Sequence, residues 1–304
     1  MKYTIFTLHP RLFDSFGSES LIARAIDKGV ISIETINWRE KYGVGNYRQI
    51  DDRPYGGGSG MVLQVDPIYN ALADNNALSP LFAPSAQHQE YSRLYPRNPE
   101  YYRWWLKNRT SSNFTGSVTI SMTPRGYPFN QKIAHWLSQE FDRINVVSGR
   151  YEGFDSRASE IVDLELSMGP YVVNGGEVPA MLLIEAVSRL LPDFVTKNPS
   201  VLHDSFSSSL NQYDEMEDFV IGARRKKQLQ QVGDPNNKLN KNVDYADEFF
   251  SSSNLFDQET YMRDIAPHVE HLQFTRPQIW NGYTVPEVLL QGDHKAIQKW
   301  RQNI

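Results

Sequence analysis

Apolar and polar positions alternate near the start of the chain in a pattern that predicts a strand, a helix and a second strand. The side chains of residues 3–8 lean alternately to two sides, as along an extended strand, and Pro10 ends the run. Apolar residues then recur at helical spacing over residues 21–26, and Gly29 stands where a C-cap is expected. Because another strand is predicted directly afterwards, over residues 30–36, this opening indicates a parallel α/β sheet.

Strands and helices keep alternating through the middle of the chain. Short apolar runs predict strands at residues 118–122, 143–147 and 161–166. Longer patterns predict helices at residues 130–140 and 178–191. The predicted fold class is therefore α/β.

Two segments break this alternation. Residues 74–116 are rich in Asn, Ser, Pro and aromatic residues, and residues 207–266 are polar, with an acidic stretch before a basic one. We interpret both as insertions, because loops of this length are usually functional or disordered. The last segment is predicted to hold short helices that begin near Pro286 and Asp293. The predicted division of the chain is a domain over 1–195, a linker with a long polar insertion over 196–267 and a small C-terminal helical domain over 268–304.

The composition narrows the class of protein. With 304 residues, 40% of them hydrophobic, the chain is long enough to bury a sizeable core. No apolar run approaches the roughly 20 residues of a membrane helix, and the first residues do not resemble a secretory signal. We therefore expect a cytoplasmic protein that does not enter a membrane. The formal net charge of −5 means that nucleic acid would bind only to local basic patches.

The metal and thiol chemistries have little support. Cysteine is absent, which excludes disulfides, thiolate metal ligands and thiol nucleophiles. Of the seven histidines, His268 and His271 can share a helix face, but no third and fourth ligand stands at suitable spacing. No metal-binding residue is predicted.

The most unusual string is DDRPYGGGSGM, at residues 51–61. Four glycines in five positions let the backbone approach a large ligand closely. The string is not a phosphate-binding P-loop, because no Gly-Lys-Ser/Thr follows, and Leu63 stands where a dinucleotide fingerprint needs a third glycine. The Asp-Asp-Arg before the glycines favours a loop that orients a polar partner; the alternative is a flexible surface loop. The candidate substrate-binding residues are Asp52, Arg53, Tyr55 and Gly58.

Two further strings follow predicted strands. VSGRYEG, at residues 147–153, comes after a buried strand, and ligands of α/β sheets bind at the carboxyl ends of strands. Gly149 would admit a ligand and Tyr151 offers a flat face for an adenine or another base; the alternative is a strand-to-helix turn. MGPYVVNGGEVPAM, at residues 168–181, follows the next strand and opens the longest apolar helix.

Two polar residues complete the candidate chemistry. Arg189 lies on that otherwise apolar helix, and Asp204 lies shortly after its end. From the residues alone, Asp204 is either a base or an ordinary turn residue.

The strings DDRPYGGGSGM, SGRYEG and MGPYVVNGGEVPAM, in this order, resemble those of the bacterial tRNA (guanine-N1)-methyltransferases of the TrmD family. Four shorter strings add to the resemblance, namely TIFTLHPRLF at the start, AVSR at 186–189, HDSF at 203–206 and TRP at 275–277. The resemblance covers most of residues 1–73, 117–206 and about 268–301.

The resemblance implies a SPOUT-class fold, in which the parallel sheet carries a deep trefoil knot; knots are rare, and periodicity alone does not predict one. It also implies a homodimer with shared active sites, S-adenosylmethionine as the methyl donor, a dependence on magnesium, and a target guanine immediately 3′ of the anticodon of tRNA, at position 37. The donor-binding positions that it implies are Met122, Pro124, Gly149, Tyr151, Glu152, Met168, Gly169, Pro170, Tyr171, Val172, Val173, Gly175 and Gly176.

The chemistry of the reaction fits the two polar residues. Guanine N1 carries a proton and becomes a good nucleophile only when it loses it, so a carboxylate base is needed. A cation should stabilise the negative charge that develops on O6. By resemblance, Asp204 is the base and Arg189 is the cation.

The chain departs from the family pattern at several places. Ser121 and Arg125 stand where the family typically has Tyr and Gln, and Pro170 replaces a common Asp. Members of the family bind tRNA with C-terminal helices, and most of these helices are missing from the sequence up to Ile304. Aromatic and basic residues of the first insertion can replace their contacts, or can pack that insertion onto its own domain; they are Tyr101, Trp104, Trp105, Arg103 and Lys107. The competing functions are methylation of another RNA or nucleotide by the same fold, and RNA binding without catalysis.

Overall fold

The computed structural model describes residues 1–80, 82, 116–195 and 271–302. The first part comprises β1 (Lys2–Thr7), α1 (Leu12–Ser18), α2 (Ser20–Asp27), β2 (Ser32–Asn37), α3 (Trp38–Tyr42), β3 (Asp51–Asp52), β4 (Val62–Leu63) and α4 (Val65–Asp74). The middle part comprises β5 (Ser117–Pro128), α5 (Gln131–Glu140), β6 (Arg143–Ser148), a 3₁₀ helix (Ser156–Ile161), β7 (Leu164–Ser167) and α6 (Glu177–Ser188). The last part comprises β8 (Ile279–Trp280), β9 (Tyr283–Thr284), a second 3₁₀ helix (Glu287–Leu289) and α7 (His294–Gln302).

Five strands form one sheet in the order β2–β1–β6–β5–β7, and every neighbouring pair is parallel. The predicted α/β class with a parallel sheet is confirmed. Because all five strands run in the same direction, their carboxyl ends lie along one edge, where ligands of such sheets bind.

Helices cover both faces of the sheet, which explains why its central strands read as nearly continuous apolar runs. In β6 every residue from Ile144 to Ser148 is buried. The one amide in that run, Asn145, donates from Nδ2 to Thr119 Oγ1 of β5 at 3.1 Å, so part of its hydrogen-bonding capacity is satisfied inside the core.

Two apolar clusters lie on opposite sides of the sheet. The larger joins α1, α2, α5 and α6 to the sheet, with Tyr3, Ile5, Leu137 and Leu183 among its fully buried members. The smaller joins α3, α4 and the first 3₁₀ helix around the buried Trp38. Each fully buried large side chain contributes about 1.5–3 kcal/mol, so these clusters hold the helices in place.

The ends of several elements follow from local sequence. Asn130 precedes α5 and accepts a hydrogen bond from Ile133 N at 3.0 Å through its side chain, as an N-cap does. Gly29 follows α2 with a φ of +69° and donates to Ile26 O at 2.9 Å, which confirms the predicted helix stop.

Strand β5 departs from its predicted limit of residue 122. Its pairing with β7 shifts register between Met122 and Tyr127, so residues 123–126 bulge out at the carboxyl edge. A Cβ on Gly126 would lie 2.5 Å from the backbone nitrogen of Leu166, so this crossing requires glycine.

The C-terminal segment, residues 271–302, packs on the first part of the chain around its own apolar cluster of Leu272, Phe274, Val285, Leu289 and Ile297. The helix starts predicted near Pro286 and Asp293 are confirmed. The segment also contains the antiparallel β8–β9 hairpin, which the sequence analysis did not predict.

Several predicted features lie outside the described residues. They are Asp204, the residues 196–267, and the aromatic and basic residues of the first insertion. Among the described helices, none combines the length and the apolar character needed to cross a membrane.

Candidate active site

Three loops meet at the carboxyl edge of the sheet. They are the glycine string (residues 51–61), the β6 loop (residues 149–155) and the β7 loop (residues 168–176). Glu152 N donates to Met61 O at 3.1 Å, which joins the β6 loop to the glycine string. Gly176 N donates to Gly149 O at 2.9 Å, which joins the β6 and β7 loops. The three strings singled out from the sequence therefore form one continuous site.

Glycines allow the β6 and β7 loops to approach this closely. A Cβ on Gly176 would lie 2.8 Å from Ser148 Cα and 3.0 Å from Gly149 N, which are backbone atoms that cannot move aside. A Cβ on Gly175 would lie 2.6 Å from Glu177 Oε2. Gly176 is therefore required by contact with the backbone, whereas a Cβ on Gly175 would meet the side chains of Arg150 and Glu177.

A buried carboxylate stands where these loops join. Glu177, the first residue of α6, is 1% exposed and accepts a hydrogen bond from Thr7 Oγ1 at 2.9 Å. Its Oε2 lies 3.0 Å from Arg150 Nε. The amino end of α6 adds a favourable partial positive charge to the same carboxylate. Glu177 thereby fixes Arg150 of the β6 loop against the end of β1.

Tyr151, predicted as a flat face for a base, is held in an unusual conformation. Its φ is +61°, a region that non-glycine residues rarely adopt, and the residue is 53% exposed. Arg39 Nη2, from α3, donates to its hydroxyl oxygen at 2.7 Å. The ring is thus presented at the surface of the site and tethered at its tip.

The β7 loop presents apolar side chains to solvent. Tyr171, Val172 and Val173 are 54%, 83% and 42% exposed. Gly169 lies beneath the Tyr171 ring with a φ of +146°, and Tyr171 Oη donates to Met168 O at 3.1 Å. Of the remaining predicted donor-binding residues of this edge, Pro170 is exposed in the same loop, Met122 is buried in β5, and Pro124 is exposed on the β5 bulge.

The predicted substrate-binding residues of the glycine string contact the C-terminal segment. Asp52 Oδ2 lies 2.8 Å from Arg276 Nε, and Tyr55 N donates to Phe274 O at 2.7 Å. Arg53 contributes its carbonyl oxygen, which accepts a hydrogen bond from a threonine hydroxyl of that segment at 2.8 Å. Gly58 is exposed, with a φ of +140°.

A buried ion pair also anchors the C-terminal segment. Asp155 and Arg157 are 0% and 3% exposed, and Arg157 Nη2 lies 2.8 Å from Asp155 Oδ2. Both also bind the backbone of Thr275: its nitrogen donates to Asp155 Oδ2 at 2.7 Å, and its oxygen accepts from Arg157 Nη2 at 2.7 Å. The C-terminal segment is therefore fixed to the loop that bears Tyr151.

Burial also changes proton affinities beside the site. It raises the pKa of the Glu160 carboxyl from its ordinary value of 4.5 to about 7, and the negative charge of Glu165 acts in the same direction. Burial, and then Glu160 itself, raises the pKa of Tyr283 to about 12. Burial lowers the pKa of His271, with further lowering from Arg301 and Arg125.

Of the two predicted catalytic residues, Arg189 lies in the described part of the chain and Asp204 does not. Arg189 caps the carboxyl end of α6, and its backbone nitrogen donates to Glu185 O at 3.1 Å. With a rise of about 1.5 Å per residue, α6 separates Arg189 from Glu177 by roughly 18 Å. Asp204 is not among the described residues. Within one chain, Arg189 thus lies at the opposite end of α6 from the three loops.

The described residues contain no group of three or more His, Cys, Asp or Glu side chains suited to a metal ion. The magnesium dependence implied by the resemblance therefore has no assigned residues.

Comparison with known proteins identifies the family. The model of the family described as tRNA (Guanine-1)-methyltransferase TrmD matches residues 1–93, 103–244 and 250–304. The chain belongs to this family.

Relatives of this TrmD-family chain match it over almost its whole length. A tRNA (guanine-N(1)-)-methyltransferase of Staphylococcus epidermidis is 32% identical over 302 residues, which cover 99% of this chain and 84% of the relative. The enzyme of the same name from Rhodopirellula baltica is 31% identical and is matched over 87% of its length, with 99% of this chain covered. The crystal structure of the tRNA (m1G37) methyltransferase from Aquifex aeolicus is 24% identical, with a TM-score of 0.47, and the match covers 99% of this chain and 88% of that one.

Sequence reasoning missed several residues that shape the site of this TrmD-family chain. Glu177 and Arg150 lie inside the quoted strings but were not singled out. The signal for Glu177 was a charged residue at the start of an apolar helix, which has to be paired if buried, and Arg150 is its partner. Arg39 gave no such signal, because its contact with Tyr151 spans 112 positions of the chain.

Proposed function

We propose that this protein transfers the methyl group of S-adenosylmethionine to N1 of the guanine 3′-adjacent to the anticodon, position 37, of tRNA. The observation that carries the proposal is the meeting of the three family strings at the carboxyl edge of the sheet, joined by backbone hydrogen bonds. The family match over most of the chain gives the class of reaction.

The β6 and β7 loops suit a large donor that carries a flat adenine ring. Gly176 leaves no space for a Cβ, so the two loops meet there through backbone groups. Tyr171, Val172 and Val173 stay exposed beside that junction and can cover an adenine ring. The donor supplies a methyl group already activated as a sulfonium, so the residues of the chain mainly bind and orient.

The acceptor side needs proton transfer and charge stabilisation. In the proposed reaction Asp204 takes the proton from guanine N1, the N1 lone pair forms the new bond to the methyl carbon, and the bond from that carbon to sulfur breaks. Arg189 stabilises the negative charge on O6 as the proton leaves. The products are the uncharged thioether, the methylated guanine and the protonated Asp204, so charge and atoms balance.

We further propose that the active protein is a homodimer whose sites combine residues of two chains. Support comes from α6, which separates Arg189 from the three loops by roughly 18 Å within one chain. The exposed side of α6 carries Val178 and Leu182, 61% and 45% exposed, next to the exposed β7 loop. An isologous contact through this apolar face would bring Arg189 of one protomer towards the loops of the other.

We also propose that the sheet carries a trefoil knot and that the C-terminal segment forms a small helical domain. A knot would place its crossing where the β7 loop passes the end of β6, and the close approach of Gly176 to Ser148 supports that position. We expect the protein to act in the cytoplasm, where its tRNA substrate is found, and to require magnesium as the resemblance implies.

The test is methyl transfer from labelled S-adenosylmethionine to unmodified tRNA transcripts that carry either G or A at position 37. We expect transfer to the G37 transcript alone, and its loss in Asp204→Asn, which keeps the shape of the side chain but cannot accept the proton. Binding of the donor by the variant, measured by calorimetry, controls for folding. Transfer to both transcripts, or none with wild-type protein, would contradict the proposal.

A further inference from the structure

One part of the surface next to the site has no role in the proposed reaction. The hairpin of residues 43–49 leads directly into the glycine string and carries Tyr47, which is 94% exposed. Such exposure of an aromatic ring is unusual, because burying it would contribute a few kcal/mol.

The hairpin is a rigid turn. Val44 and Gln49 exchange two backbone hydrogen bonds of 2.8 and 2.9 Å, and Arg48 N donates to Gly45 O at 3.1 Å across the tip. A Cβ on Gly43 would lie 2.5 Å from the carbonyl carbon of Arg48, so the base of the hairpin is closely packed. The Tyr47 ring is therefore held out into solvent by a defined backbone.

Two arginines lie at the two ends of this hairpin. Arg48 is exposed beside Tyr47 at the tip. The backbone oxygen of Arg39 lies against Gly43 at the base, since a Cβ there would be 2.6 Å from it. The guanidinium of Arg39 reaches in the other direction, to the hydroxyl of Tyr151 at 2.7 Å. We call this surface the aromatic–arginine ridge; it consists of Tyr47, Arg48, Arg39 and Tyr151.

Aromatic rings interleaved with arginines fit one kind of ligand. Single-stranded nucleic acid binds by stacking its bases on exposed rings while cations contact the adjacent phosphates. Each ring has an arginine beside it, since Arg48 follows Tyr47 at the tip and Arg39 donates to the Tyr151 hydroxyl at 2.7 Å. The acid Asp74 is paired with Lys41 at 3.2 Å. A chain with a net charge of −5 requires such a local basic surface to hold RNA.

We propose that the aromatic–arginine ridge binds the unpaired nucleotides of the anticodon loop that flank the methylated guanine, with Tyr47 stacking on a base and Arg48 contacting a phosphate. The inference rests on the proposed function, because it places the RNA substrate against the hairpin. Tyr47 is a binding residue in this account and takes no part in the chemical step.

The test compares Tyr47→Ala, Tyr47→Phe and Arg48→Ala, with Val44→Ala as a matched control on the same hairpin. Tyr47→Ala should raise KM for tRNA about 10-fold and leave KM for S-adenosylmethionine unchanged, whereas Tyr47→Phe should keep near-normal values because the ring remains. Arg48→Ala should reduce the slope of log affinity against log salt concentration by about 0.7, the value for one phosphate of a single strand. Val44→Ala should change none of these quantities.

Two controls separate this inference from the proposed function. The isolated anticodon stem-loop should show the same loss with Tyr47→Ala as full-length tRNA, and binding measured without donor should show it even if the wild type transfers no methyl group. Unchanged tRNA affinity in Tyr47→Ala, a loss confined to full-length tRNA, or a changed KM for the donor would each overturn the inference. So would a change of oligomeric state in Tyr47→Ala, because the ring would then be covered by a second copy of the chain.

Discussion

At the scale of single residues, the site depends on places where one backbone passes another. Gly176 has a φ of −75°, which any residue can adopt, so its requirement comes from contact with the backbone of Ser148 and Gly149. A methyl group there has to separate the β6 and β7 loops or distort them.

Gly176→Ala should therefore lower the free energy of unfolding by about 1–3 kcal/mol, the range for overpacked sites, and weaken binding of the methyl donor. Gly17→Ala is the matched control: a Cβ at Gly17 would meet Ile26 Cδ1 at an ordinary 3.6 Å, and alanine is favoured inside α1. Urea unfolding and donor titration measure both effects. Equal stability of the two variants would show that the close approach does not constrain the loops.

The carboxyl of Glu160 gives the stability of the fold a pH dependence. Because burial raises its pKa from 4.5 to about 7, the folded state binds a proton between these values that the unfolded state has lost. Stability should therefore fall as pH rises from about 4.5 to 7, by up to about 3 kcal/mol, and then level off.

Glu160→Gln should remove this dependence, since the amide cannot ionise, as measured by urea unfolding between pH 5 and 8. Tyr283→Phe should extend the fall above pH 7, because the hydrogen bond from Tyr283 lowers the pKa of Glu160. A pH slope that survives in Glu160→Gln would assign it to other groups.

At the scale of elements, the C-terminal segment is held by two ion pairs of different burial. Removing one partner of the buried pair, as in Asp155→Ala, leaves Arg157 charged and unpaired, so the free energy of unfolding should fall by about 3–5 kcal/mol. The side chain of Arg276 is 66% exposed in its pair with Asp52, so Arg276→Ala should lower it by less than about 1 kcal/mol. Denaturant unfolding of the two variants tests this order. A larger effect of Arg276→Ala would contradict the conclusion that the buried pair is the stronger anchor of the segment.

The helices and strands also show which parts of the fold can be predicted from the sequence. Apolar periodicity predicted the sheet strands, α2, α5 and α6, because each buries a regular face. It missed α1 and α4, since Gly17 and Pro67 interrupt their patterns, and it missed the β8–β9 hairpin, whose strands have two residues each. The glycine strings were found because their function restricts which residues these loops can contain. Contacts such as Arg39 with Tyr151 depend on tertiary packing, which no local pattern carries.

At the scale of the whole molecule, the exposed apolar side of α6 predicts a dimer of twice the 35.0 kDa chain mass. Leu182→Asp should give a monomer without methyl transfer, because a charge in that face opposes association. Ile279→Asp, on the 62% exposed Ile279 of β8, is the control and should remain dimeric and active. Light scattering coupled to gel filtration measures the masses, and an active monomer of Leu182→Asp would contradict the shared site.

Subunit mixing tests the sharing itself. If each site takes Arg189 from one chain and the loops from the other, Arg189→Ala alone should be inactive. Gly176→Ala alone binds the donor weakly and should have little activity at a low donor concentration. Random mixed dimers of the two would carry one intact site in half of the molecules, so about a quarter of wild-type activity should return. If each site were built from a single chain, no mixed dimer would contain an intact site, and no activity would return.

The proposed reaction places the new methyl group on N1 of the guanine. The most direct measurement is to digest G37 tRNA, after reaction with labelled donor, to nucleosides and to separate the methylated products by chromatography with mass detection. We expect the label in 1-methylguanosine alone, because the proposed base removes the proton of N1. Label in a guanosine methylated at another atom, or in another nucleoside, would contradict it.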